Sequence, residues 1–390
     1  MNMQNLTISD WKLIRLTVDE LGPFRNGKRE FDFFGIEPGS SDPYSAGPAN
    51  IFMVLAKNAY GKTTVLESIF GLFGLLNEKP CGRFSQLAAA GQAQVDIRAT
   101  WTIDGVSQDV LLSLWTGSHG PVRSWTQEEL DSVAQTRNWA GLGVSMTSQG
   151  LSVSSQTNEL GALFYDVMHR SLGQPPSELF GLSQNLPSIL YFPADRRVVA
   201  PVEHFSVTRP DIWGYQPAQI FSSDGPEWGT SIDNVLVWLE WLADRRSDGA
   251  GDRRVDDLLS FLNALIFKDD PSKSITQPQR EELRTYVKTR YGAHSLAALS
   301  HGERSMLQIL GRTLTHMTSN TIILIDEIEI HLHTRWMNRM FEAMKELLRK
   351  YTALTLIFTT HNRELIHVFQ HNVKEEGLVK GGHLIESDIQ

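Results

Sequence analysis

Residues 52–71 read FMVLAKNAYGKTTVLESIFG, in which an apolar run, a polar loop and a helical pattern follow one another. The apolar, partly β-branched run over 50–56 predicts a short buried strand. Val65, Leu66, Ile69, Leu72 and Phe73 then recur at helical spacing, so a helix is expected after the loop. The loop between them follows the phosphate-binding pattern G-x-x-x-x-G-K-[ST], except that Ala56 stands at the first glycine.

This loop supplies the candidate phosphate ligands. Backbone N–H groups of the loop and of the helix N-terminus would cradle phosphate oxygens, and Lys62 would reach the β- and γ-phosphates. Thr63 would offer its hydroxyl to magnesium. Alanine at position 56 is tolerable if its backbone is not left-handed. A chance GKT is the alternative. The nucleotide-binding candidates are Asn58, Ala59, Tyr60, Gly61, Lys62, Thr63 and Thr64.

A second signal is the acidic pair that ends the apolar run in IILIDEIE, residues 322–329. Asp326 is expected to hold magnesium through water, and Glu327 to polarise the attacking water. By itself, an ordinary strand that ends in exposed acids is a common alternative. The loop upstream favours the catalytic interpretation.

Two further segments complete the set. LSHGER, residues 299–304, predicts a helix start at which Ser300, the Gly302 N–H and Glu303 face a phosphate, although a simple helix cap would have the same sequence. IFTTHN, residues 357–362, places His361 after another buried strand, where it could hydrogen-bond a γ-phosphate.

In this order the four motifs resemble those of ABC-type ATPases, with His301 in place of the first glycine of their LSGGE-type signature. DEIEIHLH (326–333) and the opening hairpin (14–33) are similar to the SMC-, RecF- and OLD-like branch. PADR (193–196) looks like the AAA-family ATPase subunits of bacterial antiphage defence systems. The resemblance covers residues 10–115, 188–200 and 285–380.

The resemblance implies an α/β fold: an ABC-type P-loop core with a parallel sheet, helices and an antiparallel β lobe. Strands at 51–55, 188–193, 321–326 and 354–360 are expected to share the sheet. The expected domains are 1–200, with an irregular Ser/Gln-rich insertion over 117–160; 201–285, a helical insertion; and 286–390, the C-terminal part of the core. Helices are predicted at 231–246, at 253–268 and near Gln279.

One departure concerns the glutamine loop of these families. Ala194 and Asp195 stand where that glutamine is expected. Asp195 could take over a water or magnesium contact, or Arg196 could touch the nucleotide, and both alternatives stay open.

Composition sets the remaining limits. The net charge of −9 means that nucleic-acid contacts would need a local basic patch, such as the pairs Arg245/Arg246 and Arg253/Arg254. The single cysteine, Cys81, excludes a cysteine metal cage, and His331 and His333 have no third ligand at a matching spacing. No apolar run is long enough to cross a membrane, so a cytoplasmic protein is expected.

The resemblance implies ATP and magnesium as cofactors and an ATP-sandwiched homodimer or higher homo-oligomer. We expect a dimeric ATPase switch of an antiphage defence complex, with a separate nuclease or toxin as effector chain. A RecF- or SMC-like DNA repair or replication ATPase is the main alternative, which leaves a nucleic-acid partner open. A transporter ATPase subunit and a non-hydrolysing scaffold fit the motifs less well.

Overall fold

The computed structural model describes residues 5–37, 39–42, 44–79, 91–116, 120–175, 185–197, 207–210, 213–223, 231–245, 254–371 and 377–386. The predictions that involve Cys81, Arg246 and Arg253 therefore lie outside the described residues.

The segments that carry the motifs contribute strands to one parallel sheet. Within the described residues its strand order is β15-β3-β14-β13-β8-β9, and every neighbouring pair is parallel. The predicted sharing of one sheet by four separated segments is confirmed. The strands are β3 (Ile51–Ala56), β8 (Ser188–Phe192), β9 (Ala218–Ile220), β13 (Thr321–Ile325), β14 (Thr355–Thr359) and β15 (Lys380–Ile385).

Both faces of the inner strands are buried, which explains why β3, β8 and β13 read as nearly continuous apolar runs. On β13, Ile322 and Leu324 belong to one hydrophobic cluster, whereas Ile323 and Ile325 belong to another. The first cluster includes helix α1 (Lys62–Gly74), which packs between the parallel sheet and the N-terminal β lobe. The second cluster joins the other face to helices α3 (Ile232–Arg245), α4 (Arg254–Ile266), α5 (His301–His316), α6 (Thr334–Lys350) and α7 (Arg363–His371).

The N-terminal lobe is a second sheet with the order β2-β1-β4-β5-β6-β7. As predicted, β1 and β2 form a hairpin. Strands β4 and β5 pair antiparallel around Asp104 and Gly105. The strands are β1 (Leu6–Asp19), β2 (Arg29–Asp32), β4 (Gln92–Ile103), β5 (Val106–Thr116), β6 (Asn138–Thr147) and β7 (Gly150–Val153).

The prediction of an irregular insertion over 117–160 is wrong for most of that range. Strand β6 pairs in parallel with β5, and helix α2 (Glu159–Arg170) packs against it. Gly141 and Gly143 weakened the strand signal, since glycine is depleted in strands. Here they make room for close neighbours: a Cβ on Gly143 would lie 2.7 Å from the Trp115 ring.

The region 201–285 contains helices α3 and α4, close to their predicted bounds. The helix predicted near Gln279 is wrong: an isolated bridge joins Gln279 to Arg284, and a small antiparallel sheet with the order β10-β11-β12 includes the flanking residues. Its strands are β10 (Ser274–Ile275), β11 (Tyr286–Thr289) and β12 (Gly292–Ser295).

Candidate functional site

The phosphate-binding loop has the geometry that its altered sequence requires. Ala56 is the last residue of strand β3, so its backbone is extended and an alanine fits there without strain. Gly61 caps helix α1 with a φ of +95°, and a Cβ at this position would lie 2.4 Å from the Phe24 ring. Glycine is therefore needed at position 61 but not at position 56.

Lys62 is held in place by its own loop. Its side chain is 7% exposed, and Nζ donates to the carbonyl oxygen of Ala56 at 3.0 Å. Burial lowers the pKa of Lys62, while the nearby carboxylates of Asp326, Glu327 and Glu329 oppose that shift. A cation thus lies at the start of a helix, beside the acidic pair.

Asp326 joins the loop to the end of strand β13. The Thr63 hydroxyl donates to Asp326 Oδ2 at 2.7 Å, and the Thr359 hydroxyl donates to Asp326 Oδ1 at 2.5 Å. Asp326 is 3% exposed, so these bonds compensate a buried carboxylate. Two segments separated by more than 260 residues in sequence therefore meet at one carboxylate.

Glu327 has an unusual backbone. Its φ is +47°, in the left-handed region, which costs a residue other than glycine about 1–2 kcal/mol. The Thr359 hydroxyl accepts from the Glu327 N–H at 2.8 Å. Glu327 Oε1 lies 3.5 Å from His361 Nε2, and the Glu329 carboxylate accepts from the His361 N–H at 2.5 Å.

An open cavity of about 350 Å³ gathers most of the candidate residues. Glu327 of the acidic pair therefore faces the same space as the loop, whereas Tyr60 and Asp326 lie outside its lining. The lining consists of Pro23, Asn58, Ala59, Gly61, Lys62, Thr63, Thr64, Glu327 and His361.

Arg196 lies beneath this site. The residue is 2% exposed, and its guanidinium donates to the carbonyl oxygens of Asp326 at 2.6 Å and of Glu327 at 2.8 Å. Burial lowers the pKa of Arg196 to about 10, so the group stays charged at neutral pH. Asp195 is exposed, and neither residue lines the cavity.

The LSHGER segment begins helix α5. Ser300 is its N-cap: the hydroxyl accepts from the Glu303 N–H at 3.3 Å, and the Glu303 carboxylate accepts from the Ser300 N–H at 2.8 Å. Glu303 also pairs with Lys273 at 2.6 Å. A Cβ on Gly302 would lie 2.4 Å from the Trp336 ring. Ser300, Gly302 and Glu303 do not line the cavity of their own chain, and their binding of nucleotide stays a prediction.

The two histidines of the H-x-H spacing have separate partners. His331 Nε2 lies 2.9 Å from the Arg196 carbonyl oxygen, and His333 is the N-cap of helix α6. Across the ranges that the structure describes, no three His, Cys, Asp or Glu side chains form a cluster suited to a metal ion. In the same ranges, none of the helices combines the length and apolar character that a bilayer span requires.

Sequence reasoning missed several residues that shape the site. Pro23 and Phe24 come from the loop after β1 and pack on the phosphate-binding loop. Thr359 bonds to both members of the acidic pair. The sequence contained a signal for this role. A hydroxyl residue at the end of a buried strand can form hydrogen bonds with an acidic residue at the end of the neighbouring strand.

Comparison with known proteins gives a match to part of the chain. Residues 207–367 match a family model described as an AAA domain, putative AbiEii toxin, Type IV TA system. This range contains the LSHGER segment, the acidic pair and His361, and it begins after the phosphate-binding loop.

One curated relative is a "Retron Ec83 probable ATPase" from Escherichia coli, 29% identical over 123 residues. The match covers 29% of this chain and 21% of that protein, so the chain spans about a fifth of the relative's length. The fold is a mixed α/β arrangement with a parallel sheet, and its residues 207–367 are similar to an AAA domain.

Proposed function

We propose that this protein binds and hydrolyses ATP in a magnesium-dependent reaction at the cavity described above. One observation carries the proposal: the 2.7 Å hydrogen bond from Thr63 to Asp326 closes the phosphate-binding loop onto the acidic strand end. Lys62, Glu327 and His361 then face the same space. The similarity to an AAA domain and to a probable ATPase supports the same reaction.

The donor set suits a magnesium ion. The Thr63 hydroxyl and the Asp326 carboxylate are hard oxygen ligands that already lie within hydrogen-bonding distance, and Mg²⁺ prefers oxygen ligands. When bound, the ion would neutralise charge on the phosphate oxygens.

The protein's own groups then have separate tasks. Lys62 and the first N–H groups of helix α1 bind the β- and γ-phosphates. Glu327 accepts a proton from the attacking water and orients it, and His361, whose Nε2 lies 3.5 Å from Glu327 Oε1, contacts the γ-phosphate.

We further propose that the core is of the ABC type, in the SMC-, RecF- and OLD-like branch, with residues 201–285 as an insertion. Ser300, Gly302 and Glu303 would then act on the nucleotide of a second copy in a head-to-tail dimer. Two observations support this arrangement: these residues lie outside the cavity of their own chain, and they start a helix of 16 residues.

The shared site can be tested by mixing two inactive variants, Lys62→Ala and Ser300→Arg. When equal amounts pair at random, about half of the dimers are mixed, and each mixed dimer has one intact site of its two. We therefore expect about a quarter of the wild-type ATPase rate. Each variant alone should hydrolyse ATP at less than about a tenth of that rate. The measurement is phosphate release under saturating ATP.

Ser300→Ala is the matched control, since it removes the helix cap without adding bulk. Its cost of about 1 kcal/mol in stability separates a capping effect from a block of the interface. A wild-type rate for Ser300→Arg alone would rule out the shared site.

The dimer is proposed to be the switch of an antiphage defence complex that acts with a separate effector chain, a nuclease or toxin. The support is the wording of the two matches, a putative AbiEii toxin family and a retron protein. With ATP present, affinity-purified Glu327→Gln is expected to retain such a chain in stoichiometric amounts, and Lys62→Ala is expected to lose it. Recovery of the ATPase chain alone from the native host would contradict the effector partnership.

A further inference from the structure

A buried arginine forms hydrogen bonds with the backbone turn that carries Glu327. Arg196 donates to the carbonyl oxygens of Pro193 at 2.8 Å, Asp326 at 2.6 Å and Glu327 at 2.8 Å. It thereby joins the end of strand β8 to the end of strand β13. Since Arg196 is 2% exposed and does not line the cavity, direct contact with a nucleotide there is excluded in this arrangement.

Glu327 needs such support because its backbone is left-handed, with a φ of +47°. The direction of the Cα–Cβ bond follows from the backbone, so the turn decides where the carboxylate points. Arg196 holds the carbonyl of Glu327, and Thr359 holds its N–H. Both peptide groups that flank the side chain are therefore fixed by hydrogen bonds.

The same arginine also has a connection to the start of helix α5. Its carbonyl oxygen lies 2.9 Å from His331 Nε2, and the His331 carbonyl lies 3.3 Å from His301 Nδ1. The two imidazole rings are in edge contact, with centroids 5.5 Å apart. His301 follows the Ser300 cap directly, so a continuous path of contacts runs from the LSHGER segment to Glu327.

We propose that Arg196 is a positioning residue for Glu327, holding the left-handed turn that aims its carboxylate and tying this turn through His331 to the start of helix α5. The inference rests on the proposed hydrolysis of ATP. It assigns Arg196 a role different from both alternatives that the sequence left open, a magnesium or water contact by Asp195 and a nucleotide contact by Arg196.

The first test is steady-state kinetics of Arg196→Met and Arg196→Lys. We expect Arg196→Met to lower kcat about 10- to 50-fold with KM within about threefold of wild type, because the transition-state contact of Glu327 is lost while phosphate binding is kept. Arg196→Lys should recover part of kcat. Arg197→Met is the matched control, since this neighbour is exposed, and its kcat should stay within about twofold.

The second test asks whether Arg196 acts through Glu327. In a Glu327→Gln background, adding Arg196→Met should lower the residual rate by less than about threefold, so the two effects are strongly non-additive. An equal effect in both backgrounds would overturn the proposal. So would a tenfold rise in KM at unchanged kcat, which would indicate a nucleotide contact.

A third measurement is independent of hydrolysis. Amide hydrogen exchange of peptides spanning 322–331 should be at least about tenfold faster in Arg196→Lys than in wild type, because the Glu327 turn loses its clamp. If exchange in the variant is unchanged, the inference is refuted, even if the wild type hydrolyses ATP. If exchange in the variant is faster but the wild type does not hydrolyse ATP, only the proposed ATPase function is refuted. If neither Arg196 variant folds, as judged by circular dichroism, the arginine is structural and the proposal fails.

Discussion

Lys62→Ala is expected to weaken ATP binding at least about 100-fold and to abolish hydrolysis. The loss corresponds to about 2.7 kcal/mol, which is the size expected when charge-assisted hydrogen bonds to phosphate are removed. Lys62 is the cation at the start of helix α1, and its Nζ is already held by the loop at the Ala56 carbonyl. Isothermal titration with a non-hydrolysable ATP analogue measures the effect directly.

Lys57→Ala is the matched control, because Lys57 lies in the same loop with its side chain exposed. Its affinity for the analogue should stay within about threefold of wild type. Thermal unfolding of the variants should be compared without nucleotide, so that a folding defect is not mistaken for lost binding. Equal affinity of wild type and Lys62→Ala would rule out the phosphate-binding role of the loop.

Glu327→Gln is expected to bind ATP with wild-type affinity while kcat falls about 100- to 1000-fold. Glutamine keeps the size of the side chain and the backbone contacts of the left-handed turn, but it cannot take a proton from water. Binding and single-turnover hydrolysis, measured on the same preparation, separate the two effects.

Glu364→Gln provides the control for the change of charge, since Glu364 is an exposed carboxylate in the first turn of helix α7. It should hydrolyse ATP at close to the wild-type rate. If Glu327→Gln retained more than about a third of the wild-type kcat, water activation would have to be assigned to another group, with Glu329 beside His361 as the first candidate.

Much of the core could be predicted because its strands carry strong local signals. IILIDEIE and LTLIFTTH are largely apolar runs that end in polar residues, and a strand buried on both faces of a parallel sheet has this pattern. Since the polar residues follow the C-terminal ends of parallel strands, they had to lie at one edge of the sheet. The prediction that Lys62, Thr63, Asp326 and Glu327 are neighbours follows from this rule alone.

The contacts that shape the site could not be predicted, because they depend on long-range packing. Arg196 follows a strand in a polar loop, and nothing in PADRR indicates that its guanidinium points inwards rather than into solvent. The sequence around Gly302 predicts an anion-binding position. In the fold, the missing side chain of Gly302 also makes room for the Trp336 ring. The two glycines of β6 likewise have the sequence signature of a loop, but in the fold they lie against the rings of Trp115 and Trp139.

The strand order has a consequence for how the protein is made. Strand β3 lies between β14 and β15, so Phe52 pairs with Ile357 and with Gly381. A ribosome adds about 5–20 residues per second, so the nascent N-terminal segment waits on the order of tens of seconds for these neighbours. Until then its apolar strand has no lateral partner and is exposed to aggregation. The proposed nucleotide site cannot assist folding early, because Asp326 and His361 are synthesised only shortly before the sheet can close. We therefore expect chaperone demand during translation to concentrate on the first third of the chain.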